Sequence, residues 1–352
     1  MEQISVKTSS GSSEIYVGEG CLEMRLPVLV EGQKNFVLTD RNVYSLYSSL
    51  FAQYFADVKI FVLEAGEASK SFASLQAVLE EMAAAGMKRN DRLFAIGGGV
   101  VGDLGGLCAA LYMRGISCVQ IPTTLLAQID SSVGGKTAID ACGLKNIVGA
   151  FYQPMEVLVD PTFLHTLPNR EWKCGIGELV KYAALQGDLF DTLLANVAGL
   201  DDASKIVPLI AKCIRYKAQI VALDERESGV RAALNVGHTT GHAIESASAL
   251  SHGESVLLGM LFETKIAVEK GVCDADYAKA LLRIVRAALA LFSQTEGGDA
   301  LVMAAAKNAE MDKKNRGDGI VMSVPVARGE WASLTLSTQE YQAALAVAAN
   351  EE

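Results

Sequence analysis

Three of the chain's four histidines fall within a fifteen-residue stretch: His238, His242 and His252, in LNVGHTTGHAIES…SHGES. Imidazole is the commonest protein ligand for Zn²⁺ and similar ions, and a catalytic metal needs three protein ligands and an open position. His238 and His242 are four apart, so a helix there puts both on one face. On spacing alone both are ligands. A carboxylate would complete the set, and Glu178, Glu245 and Glu254 are candidates that spacing does not rank.

A second constellation suits phosphate. Ala95–Gly106 (AIGGGVVGDLGG) holds Gly97-x-Gly99-x-x-Gly102 after a strand pattern and before a helix pattern. Glycines there let backbone approach a pyrophosphate, and a helix N-terminus supplies amide donors. The acidic residue that usually follows about 20 positions on is missing, since Gln120 sits near there. A glycine-rich turn needed only for tight packing is the competing reading. Pro122–Asn146 adds the hydroxyls of Thr123, Thr124, Ser131 and Ser132, the pair Gly134-Gly135, and the cations Lys136 and Lys145. That is a possible phosphate cradle without Walker A spacing. Glu178 and Lys181 in GIGELVKY, Arg231, and Lys313-Lys314 in MDKKN are further charged groups. From residues alone, an NAD-type nucleotide-binding half joins a metal-binding helical half, with cations for a phosphorylated substrate. A metal-dependent polyol dehydrogenase fits the same description.

The elements that must position these groups change character midway. Asn35–Asp40, Val58–Ala65, Asp91–Gly99, Ser117–Thr124 and Glu156–Asp160 read as strands covered on both faces, because they are apolar without strict alternation. Ser74–Ala85 and Gly102–Met113 read as helices between them. The predicted fold is α/β: an N-terminal Rossmann-like domain over 1–160, its parallel sheet doubly wound, binding ligand at the C-terminal strand edge. Residues 161–352 read as a mostly α-helical C-terminal domain. Helices are expected at Asp202–Leu223, Ser255–Val268, Asp276–Leu291 and Ala300–Met311, and a hairpin at Ile320–Val326 and Trp331–Leu336.

Composition bounds the partners. The 352 residues carry 31 basic and 41 acidic side chains, a formal net charge of −10, and half are hydrophobic. An acidic balance argues against nucleic acid and anionic membrane. Seven cysteines form no CxxC pair, which suits reduced core thiols. Met1–Glu14 lacks signal-peptide character, and no apolar run is long enough to span a bilayer. A cytoplasmic protein is expected.

Taken together, GGGVVGDLGG, YMRG, IPTTLLAQIDSSVGGKTAID, LKN, GAFYQP, FLHTLP, GELVKY, DERESGVRAALNVGHTTGHAIES and HGE resemble the 3-dehydroquinate synthase family of sugar phosphate cyclases, in the family's order from residue 40 to about 315. The resemblance implies NAD⁺ and substrate in a cleft between two domains, and a homodimer to which Arg114 contributes across the interface. It implies metal ligands Glu178, His238 and His252 for zinc or cobalt, moving His242 into the substrate site. Implied cofactor contacts are Asp40, Asn42, Glu67, Lys70, Gly98, Gly99, Asp103, Thr123, Thr124, Lys136, Lys145 and the Phe163–Thr166 segment. Implied substrate and catalytic contacts are Asp130, Lys136, Lys145, Asn146, Lys181, Lys217, Arg231, Asn235, His242 and one of Lys313 and Lys314. The implied activity is a lyase of the shikimate pathway, in aromatic amino-acid (chorismate) biosynthesis. It acts on 3-deoxy-D-arabino-heptulosonate 7-phosphate: hydride leaves the C5 alcohol for NAD⁺, phosphate is eliminated, hydride returns, and an intramolecular aldol step closes the carbocycle. Ser255 stands where alanine is common after HGE, and Ala65 where an acidic residue is frequent. Cyclases making deoxy-inosose or valiolone skeletons share much of the pattern, but Leu234-Asn235 and LKN at 144–146 resemble the dehydroquinate enzymes more closely.

Overall fold

A computed structural model describes residues 1–292 and 319–350. The chain divides into two compact units, Met1–Trp172 with Cys213–Arg226, and Lys173–Lys212 with Glu227–Glu352. The first unit thus runs past the break expected at 160/161 and takes back a segment from the helical half.

In the first unit β1 (Glu2–Lys7) and β2 (Ser12–Val17) form an antiparallel hairpin. Then come α1 (Cys21–Val30), β3 (Asn35–Asp40), α2 (Arg41–Leu46), α3 (Ser48–Tyr54), β4 (Lys59–Leu63), α4 (Phe72–Ala84), β5 (Arg92–Gly97), α5 (Gly99–Leu111) and β6 (Ser117–Pro122). β7 (Lys136–Ala141) and β8 (Leu144–Phe151) pair only with each other, and β9 (Glu156–Val159) completes a seven-stranded sheet ordered β1-β2-β9-β6-β5-β3-β4. All pairs beyond β1–β2 are parallel. The strands are apolar without alternation because both faces are covered. Phe36, Leu38, Leu93, Ala95 and Cys118 pack with α4 and α5, whereas Val37, Phe94, Ile96, Val119 and Ile121 pack with α1 and α3. β4 lies on one side of β3 and β5 on the other, so strand order reverses between β3 and β5. In an open α/β sheet that reversal opens a crevice at the C-terminal strand ends.

Two features of this unit escaped the sequence pattern. The β1–β2 hairpin lies outside the strands expected from apolar runs, because Met1–Glu14 is mostly polar. The Pro122–Asn146 stretch, read as a phosphate cradle with no strand expected in it beyond Thr124, contains the first strand of a hairpin. Its two-residue connection Cys142-Gly143 has φ of 54° and 74°, the positive values that match the twist of a two-residue hairpin. Cys at the first position hid it.

The second unit holds most of α6 (Asn169–Leu185), α7 (Gly187–Ala195), α8 (Ala203–Ile206) and the start of α9 (Ile210–Leu223), then α10 (His238–Ala247), α11 (His252–Glu269), α12 (Ala275–Leu289), the hairpin β10 (Gly319–Ala327) and β11 (Glu330–Ser337), and α13 (Thr338–Asn350). The single helix expected over Asp202–Leu223 is broken by a 3₁₀ turn, Val207–Leu209, which contains Pro208. Proline lacks the amide hydrogen a continuous helix would need. The helix expected at 300–311 lies outside the described residues, as do Lys313 and Lys314. Among the described residues no helix is long and apolar enough to cross a membrane.

Candidate functional site

Glycines set the geometry in the second unit. A Cβ on Gly177 of α6 would lie 2.4 Å from the carbonyl oxygen of Gly253 on α11, and one on Gly253 would lie 2.1 Å from that of Cys174. Neither is possible, so only glycine lets these helices touch backbone to backbone. A Cβ on Gly259 of α11 would lie 1.9 Å from the carbonyl oxygen of Gly237, the residue before α10. Gly177, Gly253 and Gly237 adjoin Glu178, His252 and His238, so the closest approaches of three helices fall beside three metal-type donors. Gly237 offers α10 no capping side chain. Fully buried Glu263 of α11 does that work, accepting from the amides of Gly237 (2.9 Å) and Thr240 (2.7 Å).

The donor atoms of Glu178, His238 and His252 lie within 4.8 Å of one another. Glu178 Oε1 is 2.9 Å from His252 Nε2 and 3.3 Å from His238 Nε2, and its Oε2 is 2.5 Å from Lys181 Nζ. His238 Nδ1 is 3.1 Å from the Val236 carbonyl. A carbonyl only accepts, so Nδ1 carries the hydrogen and Nε2 of the neutral ring faces Glu178 with its lone pair. Two imidazoles and one carboxylate are a donor set suited to Zn²⁺ or Co²⁺. Spacing alone had paired His238 with His242. His242 lies one turn further on, about 6 Å along the axis, and is exposed; its donors group with those of Glu245 and His252 instead. The carboxylate from α6 meets the first turn of α10, not the second. The three imidazole rings still stand together, with centroids 5.1 to 6.0 Å apart.

Charge state follows environment. Burial would raise Glu178, but Lys181 and His238 outweigh it and hold its carboxyl well below the usual range. Burial pushes His238 down, and Glu178 offsets that only in part. Burial opposes charge on His252 too, yet hydrogen bonds to Glu178 and Glu245 prevail and raise it to about 10. Nearby in sequence, Arg231 is buried in the turn Val230–Asn235. The side-chain amide of Asn235 donates to Glu227, whose backbone is left-handed at φ 60°. Glu227 was not among the sequence candidates; its only signal was its place in the DERES run.

The first unit gathers the other candidates at one sheet edge. Asp40 and Asn42 follow β3, Glu67 and Lys70 follow β4, Gly98, Gly99 and Asp103 follow β5, Thr123 and Thr124 follow β6, and Phe163 and Thr166 follow β9. All five are parallel strands, so these are their C-terminal ends, on both sides of the reversal point. Asp40 caps α2, accepting from the amides of Asn42 and Val43. Buried Lys70 donates to Asp103 (2.8 Å) and to the side chain of Asn146. Burial raises Asp103 despite that lysine. The Tyr47 hydroxyl bonds to Thr166 and to the Phe163 carbonyl.

The glycine run serves packing in part. A Cβ on Gly97 would lie 2.6 Å from Val101, and one on Gly105 2.7 Å from Ala95. At Gly99 and Gly102 the closest atoms it would meet are the side-chain oxygens of Ser131 and Gln120, each at 3.3 Å, with no backbone among its nearest neighbours. Packing alone therefore does not account for those two.

Asp130 sits in a π-helical turn, Ala127–Ser131, a form frequent at functional sites. Lys217 of α9 donates to its carbonyl at 2.8 Å and pairs with its carboxylate at 3.1 Å. Lys136 and Lys145 are exposed on the β7–β8 hairpin, where Asn146 has φ 52°. Arg114 is exposed on a turn where it and Met113 both have positive φ, 64° and 48°.

The chain matches two family models, "3-dehydroquinate synthase N-terminal" over residues 60–174 and "3-dehydroquinate synthase C-terminal" over residues 175–315. It is 37% identical over 354 residues to the 3-dehydroquinate synthase of Alkaliphilus metalliredigens, covering 97% of each chain. Among solved structures it resembles 2-deoxy-scyllo-inosose synthase complexed with carbaglucose-6-phosphate, NAD⁺ and Co²⁺, with TM-score 0.83, 25% identity, and 98% and 99% of the two chains covered. The 2-epi-5-epi-valiolone synthase ValA of Streptomyces hygroscopicus subsp. jinggangensis, solved with NAD⁺ and Zn²⁺, gives TM-score 0.83 and 25% identity over 100% of this chain and 99% of that one.

Proposed function

Because the chain belongs to the 3-dehydroquinate synthase family, we propose that it converts 3-deoxy-D-arabino-heptulosonate 7-phosphate into 3-dehydroquinate and phosphate. The observation that carries this reading is the gathering of Glu178, His238 and His252 beside Lys181, in a chain matched by the family across both its units. Glu178, His238 and His252 hold a divalent metal, zinc or cobalt. Bound there it supplies Lewis-acid stabilisation of developing oxyanions, and NAD⁺ at the C-terminal strand edge of the first unit supplies reversible hydride acceptance.

The remaining work belongs to side chains. Lys181 is held 2.5 Å from Glu178 with almost no access to water, so its charge is fixed where oxyanion character on the substrate would be favoured. His242, exposed beside His238 and His252, is placed to carry a proton to or from substrate. Asn235 has its amide oriented by Glu227 and, with buried Arg231, orients the polar groups of the sugar acid. Lys217, fixed on Asp130, joins Lys136, Lys145, Asn146 and one lysine of the 313–314 pair as phosphate and carboxylate contacts. Asp40, Asn42, Glu67, Lys70, Gly98, Gly99, Asp103, Thr123, Thr124, Phe163 and Thr166 are the nucleotide contacts, with Lys136 and Lys145 reaching the cofactor as well. The reading includes a homodimer in which Arg114 serves the partner's site. Strain-prone backbone at Met113 and Arg114, flanked by an exposed Leu111, supports that. A cytoplasmic location is part of the reading, supported by seven scattered cysteines that form no CxxC motif.

The test is phosphate release from the heptulosonate phosphate by purified protein. It is expected only when NAD⁺ and Zn²⁺ or Co²⁺ are both supplied, with no net NADH formed. Faster turnover of glucose 6-phosphate or sedoheptulose 7-phosphate would move the chain to another cyclase. Stoichiometric NADH without phosphate would make it a dehydrogenase.

A further inference from the structure

The two histidine donors are anchored differently. His238 directs Nδ1 to a main-chain carbonyl, at 3.1 Å from Val236 O. His252 directs Nδ1 to a carboxylate, 3.0 Å from Glu245 Oε2, while its Nε2 faces Glu178 at 2.9 Å. Glu245 lies on α10, two turns after His238, whereas His252 begins α11. One helix thus carries a donor of its own and grips a donor of its neighbour.

We propose that Glu245 is a positioning residue for the metal, holding the His252 ring so that Nε2 points at the ion. The inference rests on the metal-site reading of Glu178, His238 and His252. A carboxylate only accepts, so contact with Glu245 keeps the hydrogen on Nδ1 and leaves Nε2 as the coordinating atom. A negative partner also makes the imidazole a stronger donor than a carbonyl does. The geometry favours this over Glu245 as a ligand in its own right. Glu178 is fully buried and faces Nε2 of two histidines from two helices, while Glu245 is partly exposed and meets His252 on the side away from Glu178. The His252 side chain is 30% exposed, so packing alone leaves its ring freer than that of His238, and an anchor matters more there.

Metal-stripped full-length protein is titrated with Co²⁺ and with Zn²⁺ against a chelator, and the cobalt visible spectrum is recorded. Glu245→Ala is expected to bind either metal roughly 10- to 100-fold more weakly, with an altered cobalt spectrum and the same melting temperature without metal. Glu245→Gln, which keeps an accepting oxygen, should recover part of the lost affinity, and it carries the test if the alanine variant does not fold. Unchanged affinity and spectrum in both variants would overturn the proposal. So would a wild type that binds two ions per chain, one of them lost in Glu245→Ala, because Glu245 would then be a ligand. Failure of the underlying reading looks different: Glu178→Ala would bind metal as tightly as wild type.

Discussion

Lys181 and Glu178 form a pair that is almost wholly buried, at 2% and 1% side-chain exposure. Charges so placed are costly to desolvate and are retained where one of them has a task. Around them the histidines divide by contact, and the division makes a prediction. His252→Ala is expected to strip the metal, read as ions per chain in the purified variant, because His252 Nε2 is 2.9 Å from Glu178. His242→Ala is expected to keep metal and turn over at least 10²-fold more slowly, as loss of a general acid–base group does. Equal metal loss in both would mean that the helical spacing, and not the contact with Glu178, names the ligands. Residue types made much of this legible: three histidines in one short stretch have few uses besides metal or proton transfer. What spacing could not do was choose the carboxylate. Glu178 precedes His238 by sixty positions, and the choice is made by Gly177 and Gly253, which bring α6 onto α11. Glu227 was illegible for a similar reason, since a left-handed φ at a glutamate leaves no trace in composition.

At the scale of elements, site and scaffold meet in the glycine seams. Gly253→Ala would drive a methyl group into backbone, the Cys174 carbonyl at 2.1 Å, and backbone cannot rotate aside as a side chain can. It is expected to lower stability by about 1–3 kcal/mol or more and to weaken metal binding as Glu178 and His252 separate, read by urea melts with and without metal. A second linkage lies in the first unit. Glu225, just past α9, takes hydrogen bonds from Thr8, Ser9, Ser10 and Gln153, securing the turn between β1 and β2. Burial opposes its charge, but these bonds prevail and bring its carboxyl from 4.5 to about 2. A depressed carboxylate contributes stability in full above its unfolded value and loses it as pH falls through the folded one. Glu225→Gln should therefore cost about 1–3 kcal/mol near neutrality, and the gap to wild type should close as pH falls from 4.5 toward 2. A gap independent of pH would mean that packing, not charge, ties the turn down. The parallel strands were legible because apolar runs without alternation have one reading, burial on both faces. The β1–β2 and β7–β8 hairpins mix polar with apolar residues and had no such mark, and Pro208 was outvoted by the helical pattern around it.

Across the whole molecule, a net charge of −10 is compatible with a small anionic substrate because charge is distributed locally. Lys181 and Arg231 are buried in the second unit and Lys217 in the first, with Glu178 holding Lys181 and Asp130 holding Lys217. The two units also differ in what they would bind: the metal donors all belong to the second, and the nucleotide-edge residues to the first. Yet the chain passes between the units at 172/173, 212/213 and 226/227, and the first two crossings fall inside α6 and α9. Helices form and melt cooperatively, so losing either unit frays a helix the other needs: α6 carries Glu178 and Lys181, and α9 carries Lys217. A ligand that binds only the folded state at a hundred times its dissociation constant adds about 2.7 kcal/mol. If the units melted separately, that increment would reach only the unit that binds. Shared helices predict the opposite. Scanning calorimetry should find one transition, raised by NAD⁺ alone and by Zn²⁺ alone, and raised further by both. Two transitions, each moved by a single ligand, would show that the helices crossing the boundary do not couple the units.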